Sequence, residues 1–180
     1  MRRIETDIIV IGGGATGAGI ARDVSMRGLR CVLIEKNDLA SGTTGRNHGL
    51  LHSGARYAVK DLESARECIR ENRILKKIAR HCVEDTGGLF VTLPEDDPMY
   101  HRNLIEGCRF AGINAREITV RRALQIEPNL NPAILSALHV PDGTIDPFRL
   151  TSANALDASE RGAIIMTHTR VNAIIRNGTR

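Results

Sequence analysis

Tryptophan is absent from this 180-residue chain, and only two Tyr and three Phe are present. So few aromatics argue against a stacking platform for single-stranded nucleic acid. No apolar run approaches the ~20 residues that a membrane-spanning helix needs. The first, Ile8 to Ile11, is of strand length, and the residues before it are not expected to form a signal peptide. Lysine is also scarce: of 25 basic residues only four are Lys. The cations are spread along the chain, without a run of five or more. A net charge of +4 is therefore read as ordinary surface charge, with no nucleic-acid partner expected. The four cysteines, Cys31, Cys68, Cys82 and Cys108, show no CxxC spacing, which removes zinc and thioredoxin-like chemistry and leaves reduced thiols in a cytoplasmic protein. His81, His101, His139 and His168 share no ligand spacing either, so no metal is expected.

What is present is a globular composition, 42% hydrophobic and 26% charged, in a length suited to one domain or a little more. The chain opens as strand, glycine turn, helix, strand. Ile4 to Ile11 is rich in β-branched residues, Thr16 to Arg27 is compatible with helix, Gly28 stops it, and Cys31 to Ile34 is wholly apolar. Such strands belong in a parallel sheet covered on both faces. Beyond the Gly/Ser/Thr-rich stretch from Leu39 to Tyr57, Asp61 to Val83 carries apolar residues at helical spacing. Strands follow at Leu89–Leu93 and Ile134–Val140, helices at Pro98–Ala111, Thr119–Ile126 and Pro147–Arg161, and closing strands at Ala163–Met166 and Val171–Ile175. Asp142 to Arg149 reads as a turn followed by a helix cap. Asn177-Gly178 is a hairpin signal with two residues after it, which predicts a further strand and a longer parent chain.

The pattern Gly12-x-Gly14-x-x-Gly17 sits between the first strand and the first helix. Gly12 allows the tight turn, Gly14 the approach of a pyrophosphate, and Gly17 close packing of helix on strand. The helix N-terminus offers amides and partial positive charge to phosphate. Glu35, 21 residues after Gly14 and at the end of the second strand, is placed to accept from ribose hydroxyls. Together these predict dinucleotide binding. Glu35 disfavours a 2′-phosphate, and the fingerprint alone leaves NAD and FAD open.

The segments GGGATGAGIARD (12–23), VLIEKNDLASGTTGRNHGLLHSGARY (32–57), ESARECIRENRILKKIARHCVE (63–84), GLFVTLPEDD (88–97) and VPDGTIDPFRL (140–150) resemble the FAD-dependent glycerol-3-phosphate dehydrogenases, and most closely their anaerobic form. That family lies within the D-amino-acid-oxidase-like flavoproteins. The resemblance implies an α/β, Rossmann-like FAD-binding domain with a parallel sheet, followed by the start of an α+β substrate-side region. Residues 1–60 would form the first part of the FAD domain and 61–180 a mixed, truncated continuation. It implies FAD contacts at Gly12, Gly13, Gly14, Ala15, Thr16 and Gly17, at Glu35 and Lys36, and at Thr43, Thr44 and Asn47 in a loop wrapping the pyrophosphate. His52 would stand beside the flavin, with Arg56 and Tyr57 lining the substrate pocket.

The implied reaction oxidises sn-glycerol 3-phosphate to dihydroxyacetone phosphate and passes electrons to quinone. Iron–sulfur and membrane-anchor partner subunits would hold the protein peripherally on the inner face of the cell membrane. The chemistry of these residues agrees with that reading. Alcohol oxidation needs a base for the hydroxyl proton, the usual work of histidine, and guanidinium matches phosphate bidentately. His52 and Arg56 are four residues apart in a glycine-bounded loop. The role of Arg46 and His48 is read as solvated loop. Two alternatives remain: a 2-hydroxyglutarate-type substrate, whose carboxylate Arg56 would bind, and a non-catalytic FAD-binding fragment.

Overall fold

In the computed structural model, which describes residues 3–175, the first strand begins at Ile8 rather than Ile4. The residues before it form a polar anchor instead. Thr6 Oγ1 donates to the Arg30 carbonyl at 2.8 Å, and the Asp7 carboxylate takes the Arg30 backbone amide at 2.9 Å and its guanidinium at 2.8 Å. Strand β1 (Ile8–Ile11), helix α1 (Ala15–Met26) and strand β2 (Cys31–Ile34) then follow in the expected order.

The chain next runs through a 3₁₀ turn (Thr43–Arg46), β3 (Leu50–Leu51), a second 3₁₀ turn (Ala55–Tyr57), α2 (Leu62–Ile78), β4 (Val83–Glu84) and β5 (Gly88–Thr92). It continues as α3 (Pro98–Ala111), β6 (Arg116–Ile118), α4 (Val120–Ile126), β7 (Ser136–Val140), β8 (Gly143–Ile145), α5 (Pro147–Glu160) and β9 (Ile164–Met166). Four helices start at side-chain caps: Asp61 accepts from the Ser64 amide, Asp97 from Met99, Thr119 from Arg122, and Asp146 from Phe148 and Arg149. Pro98 and Pro147 occupy first-turn positions, where their missing N–H is not needed.

Two compact units result, one of Met1–His48 with Asp146–Arg180 and one of Gly49–Ile145. The first is built on a parallel sheet in the order β1-β2-β9, with Val10 opposite Leu33 and Leu33 opposite Ile165. One face of this sheet packs Val10, Cys31 and Leu33 against Ala21 and Val24 of α1 and Ala158 of α5. Small residues at the contact let the two helices lie close, and Arg22 of α1 pairs with Asp157 of α5 at 2.5 Å. On the opposite face the central Val32 is buried, while Ile9 and Ile11 are 60% and 57% exposed. The cover on both faces that the apolar strands predict is thus found over Cys31, Val32 and Leu33 of β2 and is open at β1 among the described residues.

The second unit holds two antiparallel sheets, β3-β8-β4 and β5-β7-β6. Its core joins Ala65 and Ile69 of α2, Leu104 and Cys108 of α3, and Leu138 and Val140 of β7. The expected long helix to Val83 stops at Ile78 because the chain turns through Arg80–Cys82 to pair Val83 with Ile145. Strands β3, β4, β6 and β8 are too short to leave a periodic signal. The expected strand at Val171–Ile175 is irregular chain, with Ile174 and Ile175 largely exposed and no neighbouring strand to pair with among the described residues. Asn177-Gly178 lies outside the described residues. Among the described residues no helix is long and apolar enough to cross a membrane.

Candidate functional site

In the first unit the glycine turn closes on itself. Gly12 has φ +111°, a conformation that a side chain disfavours. A Cβ on Gly17 would sit 1.9 Å from the Gly12 carbonyl oxygen, so α1 approaches β1 closely only because residue 17 has none. Gly13 is pressed between Leu39 and Glu35, where a Cβ would meet both within 3 Å. A Cβ on Gly14 would come 2.9 Å from Thr44 Oγ1, and this hydroxyl accepts the Ala15 amide at 3.0 Å. Gly14 therefore makes room for the loop hydroxyl that caps the helix, an approach the spacing alone did not reveal. The first turn of α1 has no acidic side chain and no cap from its own N-cap residue, so its positive end is preserved for an anion. Thr16 is exposed on that turn.

Glu35 is held from two sides. Its Oε2 accepts the Gly13 amide at 2.7 Å and its Oε1 the Asn37 amide at 2.8 Å. These two amides, Gly13 first, lower its carboxyl below the usual range. An ionised carboxylate oriented in this way keeps further lone pairs for hydroxyl donors. Glu35 and Lys36 border a cleft of about 280 Å³ with Gly12, Ile34 and the segment Thr169–Val171. That segment is fastened alongside by the His168 amide on the Asn37 carbonyl and the Thr169 amide on the Glu35 carbonyl, both 2.9 Å. In the loop, Asn47 Nδ2 donates to the Thr44 carbonyl at 2.6 Å, and Thr43 is exposed. The predicted cofactor residues Gly12, Gly13, Gly14, Ala15, Glu35 and Thr44 thus converge on one turn, with Lys36 on the rim of its cleft. A helix end free of acidic side chains for a pyrophosphate beside a fixed carboxylate for a ribose fits an adenine dinucleotide.

The second unit gathers His52, Arg56 and Tyr57. The His52 and Tyr57 rings meet edge to face with centroids 5.7 Å apart, and the Arg56 guanidinium lies 5.5 Å from the Tyr57 ring centre. His52 and Tyr57 are half-buried and Arg56 is exposed. Gly54, at φ +90°, bends the chain tightly onto α2, where a Cβ would strike the Ala65 carbonyl at 2.6 Å. Arg46 and His48 are exposed. Two residues to which the sequence reading gave no role at this loop stand behind it. Asn72 is buried on the apolar stripe of α2 and donates to the Leu51 and Pro141 carbonyls. Asp142, read as part of a turn, is buried and accepts the Ser53 amide at 2.6 Å. A polar residue on the Ala65–Ile69–Leu75 stripe was the available signal for Asn72, whereas Asp142 was marked only as the start of a turn. Asp146, from the same segment, does cap α5.

A βαβ parallel sheet, a glycine turn and a carboxylate at the end of the second strand define a Rossmann-like nucleotide-binding protein. The FAD dependent oxidoreductase family matches residues 7–180, and the chain belongs to it. Over 173 residues it is 64% identical to a subunit of the anaerobic glycerol-3-phosphate dehydrogenase of Escherichia coli K12, covering 96% of this chain and 32% of that one. It thus spans about a third of the length of the curated relatives it matches. Among solved structures, L-proline dehydrogenase from P. horikoshii superposes with a TM-score of 0.82 at 30% identity, over 97% of this chain and 47% of that one. The glycerol-3-phosphate dehydrogenase from Bacillus halodurans complexed with FAD gives 0.69 at 26% identity, over 98% and 29%.

Proposed function

We propose that this chain is the FAD-binding part of a dehydrogenase that oxidises sn-glycerol 3-phosphate to dihydroxyacetone phosphate. The observation that carries the reading is the packed trio His52–Tyr57–Arg56, in a chain 64% identical to part of a glycerol-3-phosphate dehydrogenase. Gly12 to Gly17 with Thr16 receive the pyrophosphate, Glu35 and Lys36 the adenosine end, and Thr43, Thr44 and Asn47 form the loop along the cofactor. Bound FAD supplies the acceptor for the hydride that leaves the substrate carbon. His52 accepts the hydroxyl proton, a task suited to an imidazole whose ordinary pKa is about 6.5. Arg56 takes the substrate phosphate through paired N–H donors. Tyr57 contacts both the imidazole and the guanidinium. Electrons then pass to quinone through iron–sulfur and membrane-anchor partner subunits, which hold the enzyme peripherally on the cytoplasmic face of the cell membrane.

The test is an anaerobic titration of the full-length flavoprotein. Addition of sn-glycerol 3-phosphate is expected to bleach the flavin band near ~450 nm, while 2-hydroxyglutarate leaves it intact. The reverse result would make Arg56 a carboxylate clamp and replace the substrate class. A flavin that neither compound reduces would remove the catalytic reading and leave a cofactor-binding fold.

A further inference from the structure

The segment carrying His52 has little secondary structure of its own. Strand β3 ends at Leu51 after two residues, with Leu50 opposite Thr144 and Leu51 opposite Gly143, and the Ile145 amide donates to the Gly49 carbonyl at its start. So short a ladder sits below the usual strand length and is a weak hold on the next side chain. The backbone groups on both sides of His52 are instead tied to side chains. The Leu51 carbonyl accepts from Asn72 Nδ2 at 3.1 Å, and the Ser53 amide donates to Asp142 Oδ1 at 2.6 Å. Asn72 is 1% exposed and Asp142 is 7% exposed.

The two anchors are themselves joined. Asn72 Nδ2 also reaches the Pro141 carbonyl at 3.3 Å, and Lys76 Nζ donates to the Pro141 and Asp142 carbonyls at 3.0 Å each. The stretch that carries the Asp142 carboxylate is therefore riveted to α2 by Asn72 and Lys76, one helical turn apart. Gly88 gives this carboxylate its space, since a Cβ there would stand 2.8 Å from Asp142 Oδ2. Burying a carboxylate is costly unless it is hydrogen-bonded, and an amide donating to a carboxylate makes a short, strong, directional bond.

We propose that Asp142 and Asn72 are positioning residues that clamp the backbone on either side of His52 and so aim its imidazole at the substrate hydroxyl. The proposal rests on the reading of His52 as proton acceptor. The clamp acts on geometry: it needs an acceptor at Oδ1 of residue 142 and a donor at Nδ2 of residue 72. Asparagine at position 142 keeps that acceptor in its amide oxygen, whereas alanine removes it. Because a misplacement of ~1 Å costs on the order of 10²-fold in rate, the effect falls on kcat. Substrate affinity, carried by Arg56, is spared.

The experiment is a double-mutant cycle in the full-length, FAD-loaded enzyme, using sn-glycerol 3-phosphate and an artificial electron acceptor. Asp142→Ala is expected to lower kcat about 10- to 100-fold and to leave KM within about threefold. Asp142→Asn is expected to restore most of the rate. In a His52→Gln background, Asp142→Ala is expected to have no further effect, because a residue acting through His52 has nothing left to position. Asn72→Leu, close in volume, should behave in the same way and serves where Asp142→Ala fails to fold. FAD content and the far-UV spectrum report folding for each variant. Additive losses in the His52→Gln background, or an undiminished kcat in both Asp142→Ala and Asn72→Leu, overturn the clamp while leaving His52 its role. An undiminished kcat in His52→Gln alone removes the proton-acceptor reading, and the clamp falls with it.

Discussion

Gly17 is the residue at which the smallest change should have the largest effect. One methyl group at this position meets the Gly12 carbonyl at 1.9 Å, inside any permitted contact, so α1 must lift from β1. Gly17→Ala is expected to lower stability by about 1–3 kcal/mol and to reduce FAD retained on purification, read as the ratio of absorbance at ~450 nm to that at ~280 nm. Retention at the wild-type level would mean that the turn carries no cofactor. Arg56 should behave oppositely. It is exposed and contacts Tyr57 through its guanidinium, so Arg56→Lys keeps the charge and loses the bidentate fork. We expect KM for sn-glycerol 3-phosphate to rise on the order of 10-fold in the lysine variant, with FAD content unchanged. Gly17 was legible in the sequence because it belongs to a local pattern, whereas Arg56 was singled out by the family resemblance and by its spacing from His52. The anchoring partners of Asn72 and Asp142 were not legible, since they lie 21 and 89 positions away.

At the scale of elements, α1 and α5 are held together by small buried residues and by Asp157. Its carboxylate accepts from Arg22 Nε at 2.5 Å and from Arg161 Nε at 3.0 Å. These guanidinium groups, Arg22 foremost, keep the Asp157 carboxyl below its ordinary range. A depressed folded-state pKa stabilises the protein above the unfolded value of ~3.9 and loses that contribution as pH falls through the folded value. Asp157→Ala should therefore lower Tm by a few degrees at neutral pH, with a cost of about 1 kcal/mol for a pair roughly one-third exposed. The difference from wild type should vanish in acid, below the folded pKa. An equal Tm difference at neutral pH and in strong acid would show that Asp157 acts by packing rather than charge. The caps at Asp97 and Thr119 came from the structure, while the helix extents were largely legible here, and so was the cap before α5 within residues 142–149. The end of α2 was not, because β4 forms only through pairing with β8, which lies far along the chain.

Across the whole molecule, Ile9 and Ile11 on one face of the parallel sheet are exposed. Apolar side chains side by side on a sheet form a sticky surface. The chain spanning residues 1–180, prepared alone, is expected to bind a hydrophobic dye such as ANS, and Ile9→Lys with Ile11→Lys to reduce that signal by about half or more. An unchanged signal would place the exposed apolar surface elsewhere. The proposed cofactor residues through Asn47 fall in one compact unit and the proposed reaction residues His52, Arg56 and Tyr57 in another. What the sequence by itself determined was local. The glycine turn, the carboxylate 21 residues beyond Gly14, the cap before the helix at Pro147 and the wholly apolar second strand all belong to short stretches of chain. These features sufficed for the nucleotide-binding class. Only the tertiary structure decided what depends on chain return. The segment 164–166 comes back to pair with β2, Thr44 caps α1 from 29 residues away, and Asp142 fastens the amide beside His52. Short strands and buried polar partners are stabilised by neighbours distant in sequence, so no local pattern of residues announces them.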